Sequence, residues 1–323
     1  MVPKIMAACC VALSGVMTAG VHAEEYPTRP VSVIVPFPAG GTPDAFARII
    51  AERIGRNWGN PMVVEVKPGA GGSLGATLVA NSAPDGYTAL LATLSHVTNP
   101  SLSSAANYDP VGDFKGVAIL ATAPVVALVP AAMPVNTLKE FVEHVRQRPG
   151  EVNYLMPGIG TSMHLNTEML KKTAGIDLVP IPYKGIPLGI PDLISGRLSF
   201  TMSPLSIANP LISKGLLRPL AVAAPKRVVE LPDTPTFAEA GFPDAQVVSW
   251  YAIVVPAKTP RPVVERLNQE FNKAIRDPEV RNRLEAVGAI VSEPTSPENT
   301  DSLLKAEAMR WSQFFREANI SRQ

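Results

Sequence analysis

The stretch VIVPFPAGGTPD, residues 33–44, decides how this chain is read. Apolar and β-branched residues run into Pro-Phe-Pro, then into a glycine pair, then into Thr-Pro-Asp. The helical pattern AFARIIAERIG follows at once. A strand that empties through glycines into a helix is the opening of an α/β unit. The first N–H groups of a helix lack intrahelical partners, and the N-terminus carries about half a positive charge. With Gly40 and Gly41 removing side-chain bulk, a carboxylate or phosphate could reach that backbone. The same glycines also suit an ordinary tight turn needing φ > 0, so this stretch alone leaves both readings open.

The same alternation extends along the chain. Residues 31–35, 62–66, 88–92, 125–129, 152–156, 178–181, 198–202, 220–223 and 252–255 read as strands, with helix-like runs between them. Thr137 with Glu140 forms a capping box. Thr42-Pro43, Thr259-Pro260 and Ser296-Pro297 each place a hydroxyl before a proline at the expected first helical position. The pattern predicts an α/β fold with mainly parallel sheets. At 323 residues, length suggests about two domains of roughly 150 residues. No linker separates them, so the chain is expected to cross between domains more than once, near Ala123-Pro124 and near residues 246–250.

Residues 1–23 read as an export signal: Lys4, an apolar stretch from Met6 to Val21, then Val21-His22-Ala23 as an A-x-A-like cleavage site. Cys9 and Cys10 lie too early in that stretch for a lipoprotein reading. Removing Lys4 from 29 basic residues leaves 28 against 28 acidic ones, and both cysteines go with the signal. The mature chain, beginning at Glu24, therefore has no disulfide or thiolate chemistry. Its neutral balance argues against nucleic-acid binding, which needs a basic face. These features suit a bacterial periplasm.

Three further turns carry candidate chemistry. NYLMPGIGTSMHLNTEML (153–170) repeats the strand–glycine–helix design with Thr161 or Ser162 as cap. A dinucleotide fingerprint would need glycine where Met163 stands. His164 and Glu168 share a helical face and are expected to pair with each other or lie near the cap, since no third metal ligand is visible. KPGAGGSLGA (67–76) lacks the ending of a nucleotide loop, yet Gly71-Gly72-Ser73-Leu74-Gly75 matches the G-x-S-x-G nucleophile elbow. A secreted serine hydrolase is thus the competing reading. It requires a serine directly after a strand, whereas Pro68-Gly69-Ala70 intervenes, and a late histidine, whereas only His96, His144 and His164 remain. In IPYKGIP (181–187), Lys184 reads as solvated or paired with a carboxylate.

Taken in order, YPTRPVSVIVPFPAGG, MVVEVKPGAGGSLGA, APDGYTALLAT, YDPVGDFKGVA, RPGEVNYLMPGIGTSMHL, PYKG, DLISGRLSF, LRPLAV, LPDTPTFAEAG and TPRPVVERLN make the mature chain resemble the Bug-type receptors. These are the extracytoplasmic solute-binding proteins of tripartite tricarboxylate transporters. The resemblance runs from about Tyr26 to the C-terminus. It implies a two-domain, type II periplasmic-binding-protein-like α/β fold whose sheets are joined by crossing strands. Residues 24–123 with 247–323 would form domain 1 and residues 124–246 domain 2. It further implies a ligand in the cleft between them, its carboxylate held by backbone amides of the two glycine turns, partly through water.

Carried over by position, the first turn supplies Phe37, Gly40, Gly41, Thr42 and Asp44. The second supplies Gly158, Gly160, Thr161, Ser162 and His164, while Thr93, Ser95 and Ser203 follow strands as pocket hydroxyls. The expected function is capture of a small organic acid (a di- or tricarboxylate or an aromatic acid) by a monomeric receptor, without cofactor, metal or catalysis, and its delivery to a two-component membrane permease. The sequence departs from the family pattern at Ala39, where proline is usual, at Pro43, which has no N–H to give, at Glu65-Val66-Lys67, usually Glu-Asn-Arg, and at Met163, usually small or polar. Asp44 poses a problem: beside a bound carboxylate it either caps its own helix or accepts from a ligand hydroxyl, amine or water.

Overall fold

The structure, a computed structural model, describes residues 26–317; the expected cleavage site and Cys9 and Cys10 lie outside them. The chain lays down β1 (Val31–Val35), α1 (Thr42–Trp58), β2 (Met62–Val66), α2 (Ser73–Ala80), β3 (Thr88–Ala92), α3 (Leu94–Leu102) and β4 (Phe114–Ala123). It changes sheet across Pro124 into β5 (Val125–Pro130), then α4 (Leu138–Arg146), β6 (Asn153–Met156), α5 (Ser162–Ala174), β7 (Val179–Pro182), α6 (Ile186–Ile194), β8 (Phe200–Pro204), α7 (Leu205–Ser213) and β9 (Leu217–Ala223). After β9 it returns with β10 (Ser249–Pro256), α8 (Arg261–Arg276), α9 (Pro278–Ala286), β11 (Ile290–Val291) and α10 (Pro297–Glu317). The nine expected strands each fall on an observed one, with ends moved by up to three residues. Sequence reasoning passed over β4 and β11: FKGVAILATA has no clean period of two, and a two-residue strand carries no pattern.

Two sheets result, ordered β11-β4-β10-β3-β1-β2 and β7-β6-β8-β5-β9. Pairing is parallel in the β-α-β portions, β1 with β2 and β3, β6 with β7 and β8. It is antiparallel at β4, β5, β9, β10 and β11. The reason is topological: parallel neighbours require a helical crossover on one side of the sheet, whereas β4, β5 and β10 carry the chain between sheets and enter from the opposite end.

Each sheet is covered on both faces. Val31, Val33 and Val35 point into one core with Phe46, Ile50 and Phe271, while Ile34, Leu90 and Ala92 point into another with Val97, Leu304 and Trp311. The second sheet repeats this, with Ala127 and Val129 against Phe141 and Leu170, and Val126 and Leu128 against Leu193 and Ala208. Burial on both faces explains why these strands read as continuous apolar runs and not as alternations.

The capping expectations divide. Thr137 Oγ1 accepts from Glu140 N at 3.1 Å, and Glu140 reaches back to Asn136 N at 2.6 Å. Ser296 and Asn299 cap α10 reciprocally. Thr259 instead donates to Pro256 O, and α8 starts one residue later than expected, at Arg261. Thr42 is already the first residue of α1, with Gly41 as its cap, so its hydroxyl is free for another partner.

His96 lies buried between Tyr108 and Phe114, with Nε2 on Pro110 O and no partner for Nδ1. Burial pushes its pKa down to about 4 from 6.5. A histidine depressed in the folded state takes up its proton more readily when unfolded. Its burial therefore costs nothing above about pH 6.5, and stability falls as pH drops from there towards 4. The loss approaches roughly 3 kcal/mol at 1.36 kcal/mol per unit. Urea midpoints at pH 7 and pH 4.5 should differ accordingly, and His96→Phe should flatten the dependence.

Candidate functional site

A cleft lies between the two sheets, with a cavity volume of about 310 Å³. One wall is the loop after β1, from Phe37 to Pro43, with Thr93 and Leu94 after β3. The facing wall is Pro157 and Thr161–Met163 after β6, the 184–188 segment after β7, and Pro204 and Ile207 after β8. The floor is Ala123 and Val125 on either side of the β4–β5 crossing, with Ser249 and Tyr251 from β10. The lining therefore comes from carboxyl ends of strands and from the crossing strands themselves, where open α/β sheets place their ligands.

The two glycine turns match in register. Gly41, Thr42 and Pro43 are the cap, first and second residues of α1; Thr161, Ser162 and Met163 are the same three positions of α5. All six line the one cavity. Both helix N-termini thus meet across it with their unpaired first-turn N–H groups and partial positive charge. At α5 the cap is complete: Thr161 Oγ1 accepts from His164 N at 3.3 Å and donates to Gly158 O at 2.9 Å. At α1, Pro43 removes one donor, which leaves the amides of Thr42 and Asp44 in the first turn.

Of the remaining sequence-expected residues, Phe37 and Thr93 line the cavity, and Thr93 Oγ1 is 3.0 Å from Ser95 Oγ behind it. Asp44 does not reach in: Oδ2 accepts from Gly40 N at 2.9 Å and Oδ1 from Arg48 Nε at 2.8 Å. Its carboxylate braces the first turn from behind, which resolves the repulsion problem. Gly40, Gly158 and Gly160 shape the turns without lining the cavity. His164 Nδ1 accepts from Gly160 N at 3.3 Å, and burial lowers its pKa despite the opposing charge of Glu168, so at neutral pH it is an uncharged acceptor. Glu168 is not its hydrogen-bonding partner; it takes the Tyr154 hydroxyl and the Lys171 ammonium. Ser203 is fully buried and donates to Pro204 O.

The structure also assembles groups that the sequence did not offer as site residues. Lys184 borders the cavity while remaining solvent-exposed, as its sequence reading had it, and has no ion pair among the described residues. Ser249 and Tyr251 gave no signal at all, being strand residues that reach the floor only because β10 returns between β3 and β4. Burial raises the Tyr251 pKa, which keeps its hydroxyl protonated.

The lobes touch beside the cleft. Thr42 Oγ1 and Ser206 Oγ are 2.7 Å apart, the partner left open by the absent cap. Thr98 Oγ1 donates to Gly160 O across the lobes at 2.8 Å, while within the first lobe Asn99 Nδ2 donates to Gly71 O at 3.0 Å and holds that turn against Ile159. The elbow-like turn is thus a contact surface. Gly71 has φ +64°, and a Cβ there would stand 2.8 Å from Ile159 O, so only glycine permits the approach. Ser73 is fully buried, its Oγ accepting from Asn99 Nδ2 at 3.1 Å. A nucleophile must be exposed beside a base; this serine is neither, and the hydrolase reading is overturned.

Comparison with known proteins bears on the family and the fold. A family model described as "Tripartite tricarboxylate transporter family receptor" matches residues 46–320. The chain is 34% identical over 319 residues to a UPF0065 protein of Pseudomonas sp. (strain P51), covering 98% of this chain and 95% of that one. It is 32% identical to Protein BugT of Bordetella pertussis, covering 95% and 94%. Among solved structures it is similar to the periplasmic binding protein BugD, with a TM-score of 0.85, 34% identity and coverage of 92% and 100%. It is also similar to an adipate-bound protein of R. palustris, with a TM-score of 0.86, 34% identity and coverage of 93% and 100%. A malate-bound protein of Rhodopseudomonas palustris aligns with a TM-score of 0.82 and 33% identity over 89% and 99%.

Proposed function

The chain belongs to the tripartite tricarboxylate transporter receptor family, and on that premise we propose that its cleft captures a small organic carboxylate on the main-chain N–H groups of two opposed helix N-termini. The observation that carries this reading is the matched register, in which the cap, first and second residues of α1 and α5 line one cavity. The adipate and malate held by two of the similar structures support a carboxylate as the guest. Residues 24–123 with 247–323 and residues 124–246 are then the domains that close on it, with Phe37, Gly41, Thr42, Thr93, Thr161 and Ser162 against the ligand. Gly40, Asp44, Ser95, Gly158, Gly160, His164 and Ser203 hold the turns and strand ends in place.

The energetics suit a receptor that must also release. Each helix terminus contributes about 0.3–2 kcal/mol to an adjacent anion, and each hydrogen bond to a charged group about 1.5–3 kcal/mol. A few such contacts, less the cost of association, reach micromolar affinity, about −8 kcal/mol. No arginine is needed, so the empty site carries little charge to desolvate.

The protein acts in the periplasm, as the similar binding proteins do, after removal of residues 1–23, and hands its ligand as a monomer to a two-component permease. It is a binder and not a catalyst; the receptor family to which the chain belongs and the burial of Ser73 support this. A thermal-shift panel of di-, tri- and aromatic carboxylates tests the reading. A ligand at a hundredfold excess over its dissociation constant should add about 2.7 kcal/mol, a rise of several degrees in Tm. No shift with any acid defeats it.

A further inference from the structure

We infer that the ligand is a carboxylate with an apolar body, aromatic or medium-chain aliphatic, carrying at most one further anionic group; this rests on the receptor reading above. Away from the two helix N-termini the cavity is walled by hydrocarbon. Phe37 and Leu94 face Met163, Ile186, Leu188 and Ile207 across it. None of these side chains can donate a hydrogen bond to a ligand oxygen.

The polar side chains in the lining are mostly committed. Thr42 is engaged by Ser206, Thr93 by Ser95, and Thr161 by both Gly158 and His164. Ser162 stands at the anchor itself. Beyond it, side-chain donors are few: Ser249 and Tyr251 at the floor, Lys184 on the second wall, and the Thr42 and Thr93 hydroxyls where Ser206 and Ser95 donate to them. A hydroxy acid would press unpaired oxygens against the apolar walls and lose their water contacts without replacement. A ring or methylene chain gains by leaving water there.

Charge sets the second limit. Lys184 is the one formally charged side chain among the lining residues, so one carboxylate at the helix termini and one at Lys184 can be met. A trianion brings an additional charge into a wall that has nothing to set against it. The volume of about 310 Å³ is at the small end of small-molecule pockets.

Isothermal titration of the exported, purified protein against acids matched for charge tests this. Benzoate or phenylacetate should bind at least tenfold tighter than lactate, adipate at least tenfold tighter than malate, and citrate not measurably. Met163→Gln should narrow the benzoate–lactate gap severalfold, and Lys184→Met should weaken adipate at least tenfold more than benzoate. Lactate or malate binding as tightly as its apolar counterpart, or citrate binding tightly, would overturn the inference while leaving the receptor reading intact. Equal loss of adipate and benzoate in Lys184→Met would remove the second anionic group from it. Binding of no acid would sink the receptor reading and this inference with it.

Discussion

Ser162→Pro is expected to lower ligand affinity about 10- to 150-fold while leaving the fold and its urea midpoint nearly unchanged. The substitution removes one main-chain N–H at the first position of α5, where proline is the residue that helices tolerate best. Thr161, the residue before it, already has φ −69° and ψ 156°, the extended conformation that a following proline demands. One hydrogen bond to a charged group is worth about 1.5–3 kcal/mol, and 1.4 kcal/mol is a factor of ten. Ser162→Ala, which keeps the N–H and loses only the hydroxyl, separates backbone from side-chain recognition. Titration of both variants with the strongest acid from the panel decides the matter. If Ser162→Ala loses as much as Ser162→Pro, the anchor is the hydroxyl, and the main-chain account of this receptor fails.

The second large effect is expected from Gly160→Ala. Gly160 has φ +74°, and a Cβ there would stand 2.3 Å from Asn99 Oδ1 and 2.8 Å from Thr98 Oγ1. Both neighbours are buried and fixed, Thr98 by its bond to Gly160 O and Asn99 by its bonds to Gly71 O and Ser73 Oγ. The left-handed conformation alone costs an alanine roughly 1–2 kcal/mol, and the clash adds to it. Because Thr98 and Asn99 belong to the lobe opposite Gly160, relief comes by moving the second glycine turn away from the first. The variant should therefore lose at least about 2 kcal/mol of stability and bind acids more than tenfold more weakly. Small-angle scattering with ligand should show a more extended particle than the parent protein. Thr98→Val, which deletes the bond without adding bulk, should cost about 1 kcal/mol and leave the scattering unchanged. Full binding by Gly160→Ala would mean that the interlobe contact has no part in forming the cleft.

The strand–glycine–helix turns were legible because they are local. The apolar run, the glycine pair and the capped helix of residues 33–58 fix strand, turn and helix through contacts a few residues apart. The same holds for residues 153–174, so the two helix termini that line the cleft could be named from sequence. Side-chain direction was not local. Asp44 and Thr42 are two residues apart on one helix, yet one turns back to Gly40 and Arg48 while the other reaches Ser206, 164 positions away. The turn at residues 71–75 carried a hydrolase pattern that the intervening residues 68–70 already weakened, and the burial of Ser73 against Asn99 showed it to be a packing contact.

The sequence by itself determined an α/β chain with two anion-ready helix termini, because periodicity and caps are written in neighbouring residues. The tertiary structure alone decided that those termini share a register across one cavity, that Lys184 borders it, and that Ser249 and Tyr251 make its floor. The physical reason is that these positions are set by two crossings of the chain between sheets. No residue within a helix turn or a strand pair of Tyr251 encodes where Thr42 or Thr161 will be.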